Sequence, residues 1–240
     1  MSAQDQLPGR EADWPEGIAV LVVDTELALA QALAAALVHE PSLVRVRPAA
    51  DPREATQLLE AEAVDVVVAG TDRSEWDPFD LVRTVRRRWP EVPVVAISGD
   101  DDPARVTEAV RAGAVSWAPK QVSVQELASI LVGVSQGRAS MPPAMLLQVL
   151  RRLAASPRSN ESHSALASLT SRERQILDFT AHGMSRREIA AQLNVSVNTI
   201  RTHVQHVLSK LGVHTTLEAV SLALREQARD ETASALSPLR

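Results

Sequence analysis

Five short apolar runs alternate with stretches of helical periodicity in the first half of the chain, and this alternation limits the fold more than any other feature. The apolar runs span residues 18–23, 43–46, 65–69, 92–97 and 114–117. The helical stretches span residues 27–38, 52–61, 79–88, 103–111 and 124–134. Parallel strands need crossover connections, so the pattern predicts an α/β fold, a doubly wound parallel sheet covered by helices on both faces. Its functional crevice would lie at the carboxyl ends of the strands.

The alternation ends at Gly137. A helix is expected at residues 144–154, and residues 156–168 are small, polar and without periodicity, which predicts a flexible linker. We therefore expect a disordered tail at 1–16, an α/β domain at 17–136, a helix and linker at 137–168, an all-α domain at 169–226 and a C-terminal tail at 227–240.

Charge is divided unevenly between the two predicted domains. The 240 residues have a formal net charge of −5, but residues 17–136 hold 11 basic against 18 acidic side chains, and residues 169–225 hold 7 against 4. This difference suggests that only the second domain meets nucleic acid.

Several classes of site are excluded by composition. The chain has no cysteine, so it has no disulfide, thiolate metal site or cysteine nucleophile. His203 and His206 lie three residues apart with no further ligand evident, so no metal or cofactor is expected. No apolar window approaches the roughly 20 residues of a membrane span, and no secretory signal is evident, so we expect a cytoplasmic protein.

Three Ser/Thr-x-x-Glu sequences mark helix starts in the second domain. They pair Thr170 with Glu173, Ser185 with Glu188, and Thr215 with Glu218. In such a capping box, the hydroxyl and the carboxylate satisfy free backbone amides at a helix N-terminus. With Ser196 as a further N-cap and with Gly183 and Gly212 at helix ends, these sequences predict four helices.

The predicted helix at residues 197–211 has two chemically different faces. Its apolar face carries Ile200, Val204, Val207, Leu208 and Leu211. We expect this face to pack on Ile176, Leu177, Ile189, Ala190 and Leu193. The opposite face carries side chains that bond base edges and phosphates, namely Asn198, Arg201, Thr202, Gln205 and Ser209. A short helix at 186–193 and a tight turn at 194–196 precede it, which predicts a helix-turn-helix.

Residues 169–220 resemble the DNA-binding domain of the LuxR/FixJ/NarL family. The shared sequences are LTSRE, GMSRREIA, TIRTHV, KLG and a terminal AV. The resemblance implies that the second helix of the motif enters the major groove of double-stranded promoter DNA and that the last helix forms a dimer contact. By position, Arg201, Thr202 and Gln205 would read bases, whereas phosphate or its surroundings would be contacted by Asn198, Thr199 and Lys210. Arg186 and Arg187 are expected to face solvent.

The last predicted helix, from residue 216 to about 225, presents Leu217, Val220 and Leu224 at helical spacing. A short terminal helix seldom buries every apolar position within its own domain. We therefore expect part of this surface to pair with a second copy, giving a homodimer on an inverted-repeat operator.

The first domain resembles a response-regulator receiver. The shared sequences are VLVVD at 20–24, VDVVVA at 64–69, VVAIS at 94–98 and AGAVSWAPK at 112–120. The resemblance implies a pocket with two carboxylates for Mg²⁺ after the first strand and a phosphoacceptor aspartate after the third. Asp24 fills the first acidic position, and Ser98, Lys120 and Trp117 fill the hydroxyl, lysine and aromatic switch positions.

This pocket departs from the family pattern at two positions. The second acidic residue is Thr25, and the phosphoacceptor is Gly70, which has no side chain to phosphorylate. Mg²⁺ prefers several hard oxygen ligands, so the remaining charge is too small to hold it. We favour a structural salt bridge between Lys120 and Asp24 that fixes the pocket in one state. The alternative is a substitute carboxylate, for which the candidates are Asp72, Asp77 and Glu26.

These features predict a sequence-specific DNA-binding transcriptional regulator, not an enzyme, that acts independently of aspartyl phosphorylation. Its receiver-like domain would serve as a dimerisation surface or as a pocket for a small ligand or partner protein, and RNA polymerase is a further candidate partner. Two alternatives stay open: a phosphotransfer-dependent regulator that uses a displaced aspartate, and an interaction protein that has lost DNA binding and titrates a paralogue.

Overall fold

The computed structural model describes residues 17–72, 77–155 and 166–235, with side chains described as far as Glu226. The predicted tail at 1–16, most of the linker at 156–168 and the last five residues lie outside the described residues. Within the described helices, no segment is long and apolar enough to cross a membrane.

The first domain is built on a five-stranded parallel sheet in the order β2-β1-β3-β4-β5. The strands are β1 (Ile18–Val23), β2 (Leu43–Ala49), β3 (Val66–Gly70), β4 (Val94–Ser98) and β5 (Ser116–Pro119). The predicted doubly wound α/β fold is therefore confirmed. The last strand lies two residues further along the chain than predicted, because Ala114 and Val115 belong to the turn that enters it.

Five helices cover the two faces of the sheet. They are α1 (Leu27–Leu37), α2 (Pro52–Ala61), α3 (Pro78–Arg88), α4 (Pro103–Ala112) and α5 (Val124–Ser135). Alternate strand residues point to opposite faces, so Leu21 and Val67 pack with α2, α3 and α4, whereas Val20 and Val68 pack with α1 and α5. Because all five strands are parallel, their carboxyl ends lie at one edge of the sheet, and the site predicted from the sequence lies there.

A sixth helix, α6 (Pro143–Ala154), joins the core of the first domain. Met145, Val149 and Leu153 are buried in the cluster formed by α2, α3 and α4, and α6 packs along α4. The sequence assigned this helix to the linker region. Its apolar residues at intervals of four nevertheless bury one face in the first domain.

Four helices form the second domain: α7 (Ser171–Ala181), α8 (Arg186–Leu193), α9 (Val197–Leu211) and α10 (Thr216–Ala235). All three capping boxes form, since each hydroxyl accepts an amide bond and each carboxylate accepts one in return. Gly183 and Gly212 have positive φ angles at the ends of α7 and α9, and Asn194 adopts the left-handed conformation after α8.

The bounds of this domain differ from those predicted. Leu166 is buried in its core, so the domain begins at least three residues before residue 169. The last helix continues to Ala235, ten residues past its predicted end and well into the predicted tail. It also packs against α6, and Leu217 lies against the core of the first domain.

A partly buried ion pair connects two helices of the second domain. Glu173, which closes the first capping box, is buried, and its Oε2 lies 2.6 Å from Nζ of Lys210 on α9. Burial would raise the pKa of Glu173, but hydrogen bonds from Lys210 and Thr170 lower it to about 2. Because this carboxylate both caps α7 and holds α9, it stabilises the packing of the helix-turn-helix.

We expect Glu173→Ala to lower the free energy of unfolding by about 2–3 kcal/mol, because it removes a charge-assisted hydrogen bond and a cap. Since the folded pKa is depressed, this stabilisation is complete above the ordinary pKa of 4.5 and is lost as the pH falls from 4.5 towards 2. Urea unfolding followed by far-UV circular dichroism at pH 7 and pH 3 measures both effects. Glu188→Ala, in a capping box exposed to solvent, is the control and should cost less. Equal losses for the two variants would contradict the role of the Lys210 pair.

Candidate pocket and nucleic-acid interface

The pocket at the strand ends is held together by one lysine and two carboxylates. The Nζ atom of Lys120 lies 2.8 Å from Oδ2 of Asp24 and 2.6 Å from Oδ2 of Asp72. Asp24 is 1% exposed, and the Lys120 side chain is 14% exposed. The predicted salt bridge between Lys120 and Asp24 is confirmed. Asp72, which the sequence offers only as one of three candidate substitute carboxylates, also pairs with Lys120.

Asp72 accepts two hydrogen bonds from the end of β4. Its Oδ1 accepts from the Ser98 hydroxyl at 2.7 Å and from the Gly99 amide at 2.9 Å. Burial would raise the pKa of Asp72, but the bonds from Lys120, Ser98 and Gly99 lower it below its ordinary value. The Asp72 carboxylate therefore stays ionised and connects the ends of β3, β4 and β5.

The ammonium group of Lys120 stays charged as well. Burial would lower the pKa of Lys120, but the hydrogen bonds and charges of Asp24 and Asp72 raise it above the ordinary value. The pocket therefore places this ammonium group between the carboxyl groups of Asp24 and Asp72. Within the described residues, no group of three or more His, Asp or Glu side chains could hold a metal ion.

Gly70 ends β3 directly against Asp24. A Cβ atom at position 70 would overlap Oδ2 of Asp24 and lie 2.7 Å from its Cγ. Contacts this short do not occur between real side chains. The absence of a side chain at Gly70 therefore lets Asp24 reach Lys120.

The other candidate residues of the pocket lie outside this network. Thr25 and Glu26 are exposed, although the Glu26 amide donates to Oδ1 of Asp24 at 2.9 Å. Asp77 caps α3 and pairs with Arg83. Trp117 is buried within the first core, and among the described residues its Nε1 atom has no hydrogen-bond partner.

The helix-turn-helix forms as predicted. The five apolar residues of α9 are buried, and they share a core with Ile176, Leu177, Ile189, Ala190 and, partly buried, Leu193. On the opposite face, Asn198 and Thr202 are exposed, whereas Thr199, Arg201 and Gln205 are half-buried. The hydroxyl groups of Thr199 and Ser196 share a hydrogen bond at the start of α9, and the Thr202 hydroxyl donates to the Asn198 carbonyl. The predicted DNA contacts thus share one face of a well-packed helix.

Several candidate residues of the second domain are placed differently from what the sequence predicts. Arg186 is half-buried against the first domain instead of facing solvent, and Arg187 is exposed as expected. Lys210, expected near phosphate, is bonded to Glu173, although its side chain stays 37% exposed. Of the expected dimer residues, Leu217 lies against the first core and Val220 packs partly in its own, so only Leu224, at 45% exposure, is open.

Sequence reasoning undervalued Asp72 and Arg186. Asp72 could have been preferred because it is the nearest carboxylate after Gly70, on the loop that leaves β3 at the pocket. The burial of Arg186 carried no local signal, because it depends on contact between the domains.

Each of the two domains matches the model of a known protein family, and the whole chain is similar to known proteins. Residues 20–132 match the model of the response regulator receiver domain, and residues 167–223 match that of bacterial regulatory proteins of the luxR family. The chain is 30% identical over 216 residues to a probable transcriptional regulatory protein NarL of Mycobacterium tuberculosis, covering 90% of this chain and 98% of that one. It is 27% identical over 208 residues to the transcriptional regulatory protein LiaR of Bacillus subtilis, covering 87% and 97%.

Among solved structures, a two-component response regulator of the LuxR family from an Aurantimonas species has a TM-score of 0.51 at 20% identity. It covers 57% of this chain, and this chain covers 97% of it. The likeness supports the fold.

We expect Gly70→Ala to lower the free energy of unfolding by about 1–3 kcal/mol, because the new methyl group must push Asp24 away from Lys120. Gly99→Ala is the matched control at the same pocket, since a Cβ there would meet Asp72 at an ordinary 3.9 Å. Urea unfolding followed by far-UV circular dichroism compares the stability of the variants. Equal stability of Gly70→Ala and Gly99→Ala would contradict the described packing.

Proposed function

Because the chain belongs to the LuxR/NarL family of response regulators, we propose that it binds promoter DNA as a homodimer and controls transcription without aspartyl phosphorylation. The single observation that supports phosphorylation independence most directly is the pocket of Lys120, Asp24 and Asp72, which supplies its own charges. The DNA-binding part of the proposal rests on the polar face of α9.

The chemistry of acyl phosphate formation argues for independence. Transfer requires a carboxylate at the attacking position and a divalent cation that neutralises the phosphoryl group. Gly70 offers no carboxylate, and Thr25 offers no acidic ligand to a cation. Lys120 already neutralises part of the charge that a cation would need, because it pairs with both remaining carboxylates. The hydrogen bonds that Ser98 and Gly99 could give to a phosphoryl group go to Asp72.

The DNA-binding half of the proposal rests on residues of one helix face. Arg201, Thr202 and Gln205 would read base edges in the major groove, and Asn198 and Thr199 would contact the backbone near the start of α9. Lys210 would approach phosphate while it keeps its bond to Glu173. This complete polar face on a packed helix argues against an interaction protein that has lost DNA binding.

Pairing of two chains on DNA would use the exposed part of α10. Leu224 is open in this arrangement, whereas Leu217 becomes available only if α10 leaves the first domain. A two-fold pair of α10 helices requires an inverted-repeat operator with half-sites about one helical turn apart.

A second candidate is favoured by one specific observation. Asp72 lies within hydrogen-bonding distance of Ser98 and Lys120, so a displaced carboxylate is present beside the groups that would sense its phosphorylation. This regulator would depend on phosphotransfer to Asp72. It would have to give up the Lys120 pair and acquire a cation.

We expect Arg201→Ala to weaken specific operator binding about 5- to 150-fold, because a bidentate contact to guanine contributes about 1–3 kcal/mol. Footprinting on the chain's own promoter should show two protected half-sites with the unchanged protein and none with the variant at the same concentration. Arg187→Ala, an exposed change on the neighbouring helix, is the control. Unchanged operator affinity in Arg201→Ala, or protection of single asymmetric half-sites, would contradict the assignment.

We expect no phosphoryl adduct after incubation with acetyl phosphate and Mg²⁺, and operator affinity unaltered by that treatment. Intact-mass spectrometry of the unmodified chain is the measurement, with Asp72→Asn treated in parallel. An adduct that forms on the unchanged chain, disappears in Asp72→Asn and accompanies tighter operator binding would establish the second candidate instead.

A further inference from the structure

Three arginines from both domains gather where the start of α8 meets the first domain. Arg86 lies on α3, Arg186 is the first residue of α8, and Arg201 lies on α9; all three are half-buried. Burial lowers the pKa of Arg186, and the nearby charges of Arg201 and Arg86 lower it further. The guanidinium group of Arg186 therefore lies close enough to those of Arg86 and Arg201 for their charges to act on it.

The side chain of Arg186 is directed into the junction by packing. A Cβ atom at Gly137 would lie 2.9 Å from Cδ and 3.1 Å from Nε of Arg186. Gly137 has a φ angle of 85°, a conformation that favours glycine. The bare backbone at this position makes room for the arginine, which explains why Arg186 is withdrawn from solvent.

The positive charge at this junction is only partly compensated by nearby groups. In the described part of the chain, neither Arg86, Arg186 nor Arg201 forms an ion pair or a hydrogen bond, and the buried Nε of Arg201 has no partner. Glu218 lies near enough to raise the pKa of Arg86, against the lowering that burial causes. Its Oε2 is already used by the amides of His214 and Thr215. Placing partly desolvated cations together without partners costs free energy, which a bound anion would offset.

We propose that Arg86, Arg186 and Arg201 form a site for a small, multiply charged oxyanion of the phosphate class, bound between the two domains. The planar guanidinium group offers paired donors that match phosphate oxygens, and three of them would surround an inorganic phosphate or a pyrophosphate group. Binding of the anion goes beyond the proposed function, since it needs no DNA.

The site has a consequence for DNA binding, which rests on the proposed function. Arg201 cannot contact an anion bound between the two domains and a base in the major groove at the same time. The anion and the operator therefore compete, and the anion holds the two domains together through Arg86 of one and Arg186 of the other. By linkage, each ligand lowers the apparent affinity of the other.

Calorimetric titration of the full-length chain with pyrophosphate, in the absence of DNA, tests the site directly. We expect one anion per chain, with affinity at least about tenfold weaker in Arg86→Gln and in Arg186→Gln, because each loses a charge-assisted hydrogen bond. Arg87→Gln is the matched control, since Arg87 is the exposed neighbour of Arg86 on α3 and the change removes the same charge. It should bind pyrophosphate as the unchanged protein does.

Three results would overturn the proposal: no binding to the unchanged chain, equal binding to Arg86→Gln and the unchanged chain, or an equal loss in Arg87→Gln, which would show a general charge effect. Melting curves check that the variants fold, and if Arg86→Gln does not, Arg186→Gln decides the outcome. Parallel titrations with phosphate and with sulfate show whether the site prefers phosphate chemistry or only charge.

Operator binding in pyrophosphate, compared with chloride at matched ionic strength, separates this inference from the proposed function. We expect weaker operator binding in pyrophosphate, and a smaller difference between the two salts in Arg86→Gln. A chain that binds pyrophosphate but no operator would retain the anion site and refute the proposed function. A chain that binds its operator equally in both salts would refute the competition.

Discussion

The arrangement of the first domain depends on the ion pairs that Lys120 makes with Asp24 and Asp72. Parallel strands bring their carboxyl ends to one edge of the sheet. Beyond the strand ends, the backbone and polar side chains need hydrogen-bond partners other than a neighbouring strand. Lys120 ties the end of β5 to those of β1 and β3, and Asp72 extends the tie to β4 through Ser98 and Gly99. A charged network of this kind holds only when all its members are present, because removing one leaves a buried charge without a partner.

Sequence patterns predicted the elements that are stabilised by interactions between residues close together in the chain. The strands of the sheet, the three capping boxes and the two faces of α9 follow from periodicity and from backbone hydrogen bonding near each helix end. Even the pair of Lys120 and Asp24 was predictable, since both residues follow strands whose ends share one edge.

The parts that were missed depend on contacts between distant segments. The entry of Asp72 into the pocket depends on how the loop after β3 folds against the end of β4. The packing of α6 on α4 depends on tertiary contacts within the first domain, and the burial of Arg186 depends on how the two domains meet. No repeat in the sequence records either contact. The continuation of α10 to Ala235 has no apolar periodicity to indicate it, because the helix residues after Leu224 are polar or alanine.

The contact between Gly70 and Asp24 also bears on how such a chain can change over generations. An aspartate introduced at position 70 alone would place its Cβ on the carboxylate of Asp24, so this single substitution would disrupt the pocket. Asp24, in turn, cannot move without abandoning Lys120. Each residue thus limits which side chains the other position accepts. A side chain enters position 70 without strain only if Asp24 also changes, so we expect these two positions, at the ends of neighbouring strands, to vary together.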